Sequence, residues 1–307
     1  MVTILIFMSV MQTTQSQIQS KSSGNWNNAS TWVGNVVPNS SSTDVEIIGG
    51  HNVTISSDVT VRNIVVTNGN LSIGSNKLQI HGNISGAQKD NVTSNTNSTI
   101  ELLGSTTTPK FEFPVGVQKL KKIIINRKLG ATSNHDLDLD DGVPADGIVL
   151  QLIHGIIYMT NGSIMYLNSK QIQPDIPGSD SSHVDGIVQR NIPKNSGIYT
   201  FPVGNNGHFR PFGVATQNGN GDNINQVEFI WDTPINNADI NYGKLPGGII
   251  QYFYWKHTVI SGGNPQRQLS YTDKDFPNIS AADRKASMTL ANMNGQILGI
   301  RPQLHGL

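Results

Sequence analysis

The chain lacks cysteine altogether, and it has few aromatic or charged residues. With no cysteine among its 307 residues, a disulfide framework, a thiolate nucleophile and a cysteine-ligated zinc site are all excluded. Its 21 basic and 21 acidic side chains give a formal net charge of zero. Because nucleic acid binding requires clustered lysine and arginine, this composition gives no basis for a nucleic acid partner.

Signatures of catalysis are also missing from the sequence. Glutamate occurs only four times, and there is no Gly-x-Ser-x-Gly elbow and no phosphate-binding glycine loop. The eight histidines show neither the H-x-H nor the H-x-x-x-H spacing of a metal site. The sequence therefore predicts a protein that is not an enzyme and has no cofactor, with calcium as the one ion to consider.

The apolar run at the N-terminus, VTILIFMSVM at residues 2–11, is shorter than the roughly 20 residues that span a bilayer. Thr14 and Ser16 follow it as small residues suited to signal peptidase cleavage, although no lysine or arginine precedes the run. We predict a signal peptide of residues 1–16 and no membrane span. The mature protein is then secreted and lies extracellularly or on the outer cell surface.

The chain is rich in glycine, with 31 residues, and in short apolar–polar alternations. Segments such as VEII, VTVRNIVV and KLQI alternate with a period of two, and Gly, Asn or Ser residues separate them. This pattern is typical of strands with one buried face. The strands recur every 8–12 residues or so without Asn-Gly hairpin turns, which favours a parallel solenoid over an antiparallel meander.

Trp26 and Trp32 stand at the start of this pattern, and a turn containing Pro38 follows them. The end of a solenoid exposes an apolar cross-section that must be covered. We predict that the two indoles and the Pro38 turn form a cap over the first coil. The alternative is a pair of rings that stack on a sugar.

The segment GNWNNASTWVGNVVPNSSSTDVEIIGGHNVTI, with NIVVTNGNLSIGSNKLQIHGNIS after it, resembles the N-terminal repeats of large secreted surface proteins of Bacteroidetes. It is also similar to the extracellular domain named for eight glycines. The resemblance covers residues 23–86 and 181–232. It implies a right-handed β-helix, sandwich modules and a C-terminal sorting domain for type IX secretion. No such sorting domain precedes the final RPQLHGL, so we expect the chain to be a truncated piece of a longer protein.

Together these features predict an all-β chain with two domains. We expect a right-handed parallel β-solenoid (β-helix) over residues 23–175, with the tryptophan cap at its start. We expect a β-sandwich-like domain over residues 181–307, and this domain is truncated if the chain is a piece of a longer protein. The stretch QIQPDIPGSDSS between them is rich in Pro, Asp and Ser, as linkers are. The strands after it are longer and more aromatic, as in sandwiches.

Asp136, Asp138 and Asp140 alternate with leucines, so on a strand the three carboxylates share one face. Like charges this close attract a cation, and calcium prefers oxygen ligands. The run fits a calcium loop poorly, because Gly147 stands where a bidentate glutamate belongs. The simpler interpretation is a solvated strand face with Leu137 and Leu139 packed inward.

The stretch QYFYWKH places Tyr252 and Tyr254 on one face of a strand and Phe253 and Trp255 on the other. An exposed set could stack on sugar rings, with Tyr252, Tyr254 and Trp255 as the candidates. A buried strand is the simpler interpretation.

These observations predict a non-catalytic cell-surface or extracellular protein that presents a rigid solenoid for structure or adhesion. Its expected partners are other surface proteins or polysaccharide, with self-assembly as a further option. The alternative is a carbohydrate-binding or polysaccharide-degrading, lyase-like β-helix protein.

Overall fold

The computed structural model describes residues 17–139, 149–167, 178–194, 197–215, 222–231, 253–263, 265–269, 291–293 and 296–298. It is 52% strand, and the described residues contain no α-helix. Their helical turns are three short 3-10 segments, η1 (Ala29–Thr31), η2 (Val33–Asn35) and η3 (Lys89–Asn91). The prediction of an all-β chain is confirmed.

The chain winds as a parallel β-solenoid of about 7 turns. A full coil passes through three short strands in succession, and we name the three surfaces built by stacked strands faces A, B and C. Face A contains β1 (Ile18–Gln19), β3 (Asp44–Ile47), β6 (Asn63–Val66), β9 (Ile84–Ser85), β12 (Phe111–Glu112), β15 (Ala131–Ser133), β18 (Ile157–Met159) and β20 (Val184–Asp185). Face B contains β2 (Gly24–Asn25), β4 (His51–Thr54), β7 (Gly69–Ser72), β10 (Val92–Thr93), β13 (Lys119–Leu120), β16 (Leu137–Leu139), β19 (Ile164–Leu167) and β21 (Ile187–Ile192). Face C contains β5 (Val59–Val61), β8 (Lys77–Ile80), β11 (Thr99–Leu103), β14 (Lys122–Asn126) and β17 (Leu150–His154).

Alternate residues of each strand point inward and stack on their counterparts in the next coil. One such row on face C consists of Val59, Leu78, Ile100, Ile123 and Leu150, none more than 1% exposed. Burying one such side chain stabilises a protein by about 1.5–3 kcal/mol relative to leaving it exposed. The inward rows therefore hold successive coils together, and they explain the period-2 pattern of the sequence.

Trp26 and Trp32, the predicted cap residues, follow β2 near the N-terminal end of the solenoid, and both are fully buried. Their rings meet edge to face with centroids 4.7 Å apart. The indole N–H of Trp26 donates to the backbone carbonyl of Pro38 at 2.7 Å, and Trp32 forms a backbone bridge with Ser20 of the first coil. This is the geometry expected of a cap, and it leaves neither indole free to stack on a sugar.

A buried arginine ties three coils together at the level where the ladders of faces A and B are interrupted. Arg127, just after β14, is fully buried. Its guanidinium donates to the Asn83 side chain and to four backbone carbonyls, those of Ile80, Gly82, Leu103 and Pro109. Burial lowers its pKa to about 10, so the group stays protonated at neutral pH and keeps all its donors.

The parallel stack continues past residue 175, where the sequence placed the end of the solenoid. β20 pairs with β18, and β21 pairs with β19. On its other edge β21 pairs antiparallel with β26 (Asn223–Ile230), and the sheet continues through β27 (Tyr254–Ser261), β30 (Gln296–Leu298) and β29 (Ala291–Met293). One eight-stranded sheet thus joins face B to the C-terminal part.

A second antiparallel sheet packs against this one. It consists of β22 (Tyr199–Phe201), β25 (Phe212–Ala215) and β28 (Gln266–Leu269), and a small hairpin of β23 (Gly204–Asn205) and β24 (His208–Phe209) lies beside it. Phe212 lies 6.3 Å from Trp255 and 5.2 Å from His257, between ring centroids. The C-terminal part is therefore sandwich-like, with aromatic side chains between its two sheets.

Candidate functional site

The acidic run of the sequence lies on the outer surface of face B. Leu137 and Leu139 of β16 are fully buried, whereas Asp138 between them is half-buried and Asp136 is exposed. Asp140 lies outside the described residues. The alternation is that of a strand that packs its leucines inward and turns its carboxylates to solvent, the simpler of the two interpretations of this run.

Asp136 anchors a tyrosine from the next coil. Its carboxylate accepts the backbone N–H of Ile164 at 2.8 Å and the hydroxyl of Tyr166 at 3.3 Å. In the ladder, however, Tyr166 lies opposite Asp138. The side chain of Tyr166 therefore extends diagonally from its ladder position towards Asp136, and it is half-buried.

The position of Tyr166 beside two carboxylates affects the pKa of its hydroxyl. Burial, and then the carboxylates of Asp136 and Asp138, raise the pKa of Tyr166. The phenol therefore remains neutral at physiological pH and keeps its donor. Gln118, Lys119, Asp136, Asp138 and Tyr166 together line a shallow, open depression.

The depression belongs to a longer row of outward-facing side chains, which we call the face B strip. Ladder register places Lys119 beside Asp138, Asp138 beside Tyr166, and Tyr166 beside Gln189. Across the antiparallel junction Gln189 lies opposite Gln226, whose amide donates to the Gln189 side-chain carbonyl at 2.8 Å. The strip, consisting of Lys119, Asp138, Tyr166, Gln189 and Gln226, therefore crosses five adjacent strands.

The calcium hypothesis gains no support from the described residues. They contain no group of three or more His, Asp or Glu side chains that could hold a metal ion. Asp136 already accepts two hydrogen bonds, from Ile164 and Tyr166. Two carboxylates on a strand are a common solvated surface, so calcium binding at Asp136, Asp138 and Asp140 remains an untested prediction.

The aromatic candidates of β27 do not form a sugar platform where they are described. Trp255 is fully buried, and its indole N–H donates to the backbone carbonyl of Arg210 at 2.8 Å. Phe253 is buried beside it, with ring centroids 5.6 Å apart. Trp255 is therefore a core residue, which corrects the stacking role considered above. Tyr252 and the side chain of Tyr254 lie outside the described part of the structure.

The glutamates are dispersed over different surfaces. Glu46 accepts from Gln19 on face A, Glu101 accepts from Lys77 and Gln79 on face C, and Glu112 pairs with Lys89. Burial raises the pKa of Glu228, but Lys256 opposes this rise from the adjacent strand. The four glutamates therefore do not converge as a pair of acid and base.

Sequence reasoning did not identify Tyr166, Gln189 or Gln226. Tyr166 lies between the buried Met165 and Leu167, so the alternation MYL was enough to place it on the outer surface. Nothing in the sequence indicated that it would lie beside Asp136, because the two residues are 30 positions apart.

Comparison with known proteins adds no relative. No family model matches the chain, and neither the curated proteins nor the solved structures contain a match. Within the described residues, no helix is long and apolar enough to span a membrane.

Proposed function

We propose that this chain is a secreted, non-catalytic protein of the cell surface or extracellular space, which presents a rigid β-solenoid for structure or adhesion. The proposal extends to the class indicated by the sequence resemblance, the surface proteins of Bacteroidetes that use type IX secretion. Other surface proteins or polysaccharide are its proposed partners.

The observation that carries the proposal is that outward-facing polar side chains form hydrogen bonds with side chains of the neighbouring coil. Across the coils of face C, Thr60 donates to Gln79 at 2.6 Å and Gln79 donates to Glu101 at 2.6 Å. At the corner that leads into face A, the guanidinium of Arg62 binds both carboxylate oxygens of Asp44 in β3. These groups bond to the neighbouring coil, whereas an active site concentrates titratable groups in a cleft. Such ladders suit a stiff spacer.

A polysaccharide screen tests the absence of catalysis. Purified protein would be incubated with plant, algal and animal polysaccharides, with and without calcium, and reducing ends and unsaturated products would be measured. We expect no turnover on any of them. Turnover that Asp138→Ala and Asp140→Ala abolish would overturn the proposal.

The second candidate function is a carbohydrate-binding or lyase-like protein. The observation that favours it is the depression on face B, where Tyr166 lies beside Asp138 in the ladder and its hydroxyl donates to Asp136. Lys119 also lines this depression. A tyrosine, a lysine and two carboxylates can bind sugar hydroxyls. The same screen separates this candidate's two forms, since a lyase turns substrate over and a binding protein does not.

A further inference from the structure

The face B strip is straight, because its members are ladder partners on adjacent strands, and adjacent strands lie about 4.8 Å apart. It also crosses from the parallel coils onto the antiparallel strand β26 without a break in the sheet. A linear ligand lying across the strands would therefore meet one strip residue per strand.

The centre of the strip is the half-buried ring of Tyr166. The hydrogen bond from its hydroxyl to Asp136 holds the tip of the side chain. An aromatic ring with a polar tip offers an apolar surface together with a hydrogen-bonding group. Pyranose rings whose substituents are equatorial present a matching face of C–H groups.

The groups beside the ring are two amides, one ammonium group and two carboxylates. Gln189 and Gln226 are half-buried, and the hydrogen bond between them leaves the second amide proton of Gln226 and the amide group of Gln189 able to bind hydroxyls. Lys119 offsets one of the carboxylates that line the depression. Asp136 and Asp138 would repel a polyanion, so these carboxylates favour a neutral ligand over an anionic one.

We infer that the face B strip binds a single extended chain of a neutral, equatorially linked polysaccharide, with one sugar stacked on Tyr166 and its neighbours hydrogen-bonded to Asp138, Gln189 and Gln226. This inference rests on the proposed function and names the partner class for an adhesive solenoid. Tyr166 is then a binding residue, and Asp136 is the positioning residue that holds its ring.

The test uses the whole purified protein with hydroxyethyl cellulose and galactomannan as neutral probes, polygalacturonate as the anionic probe and chitosan as the cationic probe. Binding would be measured by affinity electrophoresis, and by calorimetry with cellohexaose. We expect a neutral probe to bind, and Tyr166→Ala and Gln189→Ala each to weaken that binding at least tenfold. Tyr166→Phe keeps the ring but loses its hydrogen bond to Asp136, so it should weaken binding less than Tyr166→Ala does, and Asp136→Asn should preserve binding better than Asp136→Ala.

Tyr158 supplies the matched control. It is also an outward, half-buried tyrosine, on face A, but the ammonium group of Lys110 covers its ring at 3.5 Å from the centroid. Tyr158→Ala should leave glycan affinity unchanged. Far-UV circular dichroism of each variant confirms folding, and Gln189→Ala, a change at a surface amide, keeps the test valid if Tyr166→Ala does not fold.

Three outcomes overturn the inference: no neutral probe binds, only the charged probes bind, or the strip variants bind as well as the parent. If the protein neither binds nor turns over the probes, the strip is not a glycan-binding site, but the proposed non-catalytic function still stands. Binding accompanied by turnover would instead overturn the non-catalytic function and leave the strip in place.

Discussion

The indole N–H of Trp32 donates a hydrogen bond to the backbone carbonyl of Trp26 at 2.6 Å. Since the ring of Trp26 in turn donates to Pro38, the cap consists of two buried rings with both donors satisfied. Buried polar groups without partners are costly, so this pairing lets the cap use large rings at low cost.

We predict that replacing Trp26 or Trp32 by alanine lowers the free energy of unfolding by about 3–5 kcal/mol, because a large buried ring is lost. Val36→Ala is the control, since this cap residue is 56% exposed and its truncation should change stability little. Urea denaturation followed by circular dichroism measures all three. Variants at both tryptophans that unfold like the parent would show that the cap does not stabilise the solenoid.

A second prediction concerns Arg127. Removing its side chain leaves four backbone carbonyls of the two preceding coils without this donor, and each buried unsatisfied group costs about 1–3 kcal/mol. Arg127→Met should therefore destabilise the protein by about 3 kcal/mol or more, as measured by chemical denaturation. Arg127→Lys should not restore stability, because a single ammonium cannot reproduce the planar set of donors.

Lys128 is the control for this prediction, as an exposed neighbour on the same segment. Lys128→Ala should alter the free energy of unfolding by less than about 0.5 kcal/mol. Equal effects at the two positions would mean that the guanidinium contacts contribute nothing specific.

The local part of this fold could be predicted from the sequence. The alternation around Leu137, Asp138 and Leu139 gives the correct inward and outward faces, because side chains on a strand alternate irrespective of its partners. The burial of Trp26 and Trp32 was also predictable, because they precede the first repeated strands and a solenoid end must be covered.

The site was not predictable, because it depends on which residues stack. Stacked partners are separated by 18 residues for Asn52 and Asn70 but by 28 for Asp136 and Ile164. Corners of different length change the spacing from coil to coil, so no constant period marks the register. The burial of Trp255 depends likewise on the second sheet, whose pairing is non-local.

His257 gives a third prediction, on pH dependence. Burial, and then the neighbouring Arg267, lower its pKa to about 4. The unfolded chain, with an ordinary histidine pKa near 6.5, binds a proton at a higher pH than the folded protein does. Stability is therefore complete above about pH 6.5 and falls as the pH drops towards 4, by up to about 3 kcal/mol.

Denaturation curves between pH 4 and 8 measure this effect. His257→Gln should weaken the dependence in that window without removing it, because burial also lowers the pKa values of His183 and His81. The same change destabilises the protein at neutral pH through lost packing. His154→Gln, at an exposed histidine on face C, should leave the dependence as in the parent. A parent stability that does not change between pH 7 and 4.5 would contradict the burial of a neutral imidazole.

The last prediction concerns the corner between faces C and A, where backbones of successive coils approach closely. Gly155 has a φ of +100°, and a Cβ atom added there would collide with the backbone carbonyl oxygen of Arg127. Gly162 also has a positive φ, of +74°, but its added Cβ would meet nothing within 4 Å. Gly162→Ala should therefore lower the free energy of unfolding only by the cost of placing alanine in a left-handed backbone conformation, about 1–2 kcal/mol. Gly155→Ala should destabilise the protein clearly more, because the Arg127 carbonyl belongs to a backbone that cannot move without disturbing the buried guanidinium.

Thermal unfolding of the Gly155→Ala and Gly162→Ala variants under identical conditions compares the two losses of stability. Equal destabilisation would mean that the coils can separate at this corner at no cost, and that Arg127 does not hold them at a fixed distance.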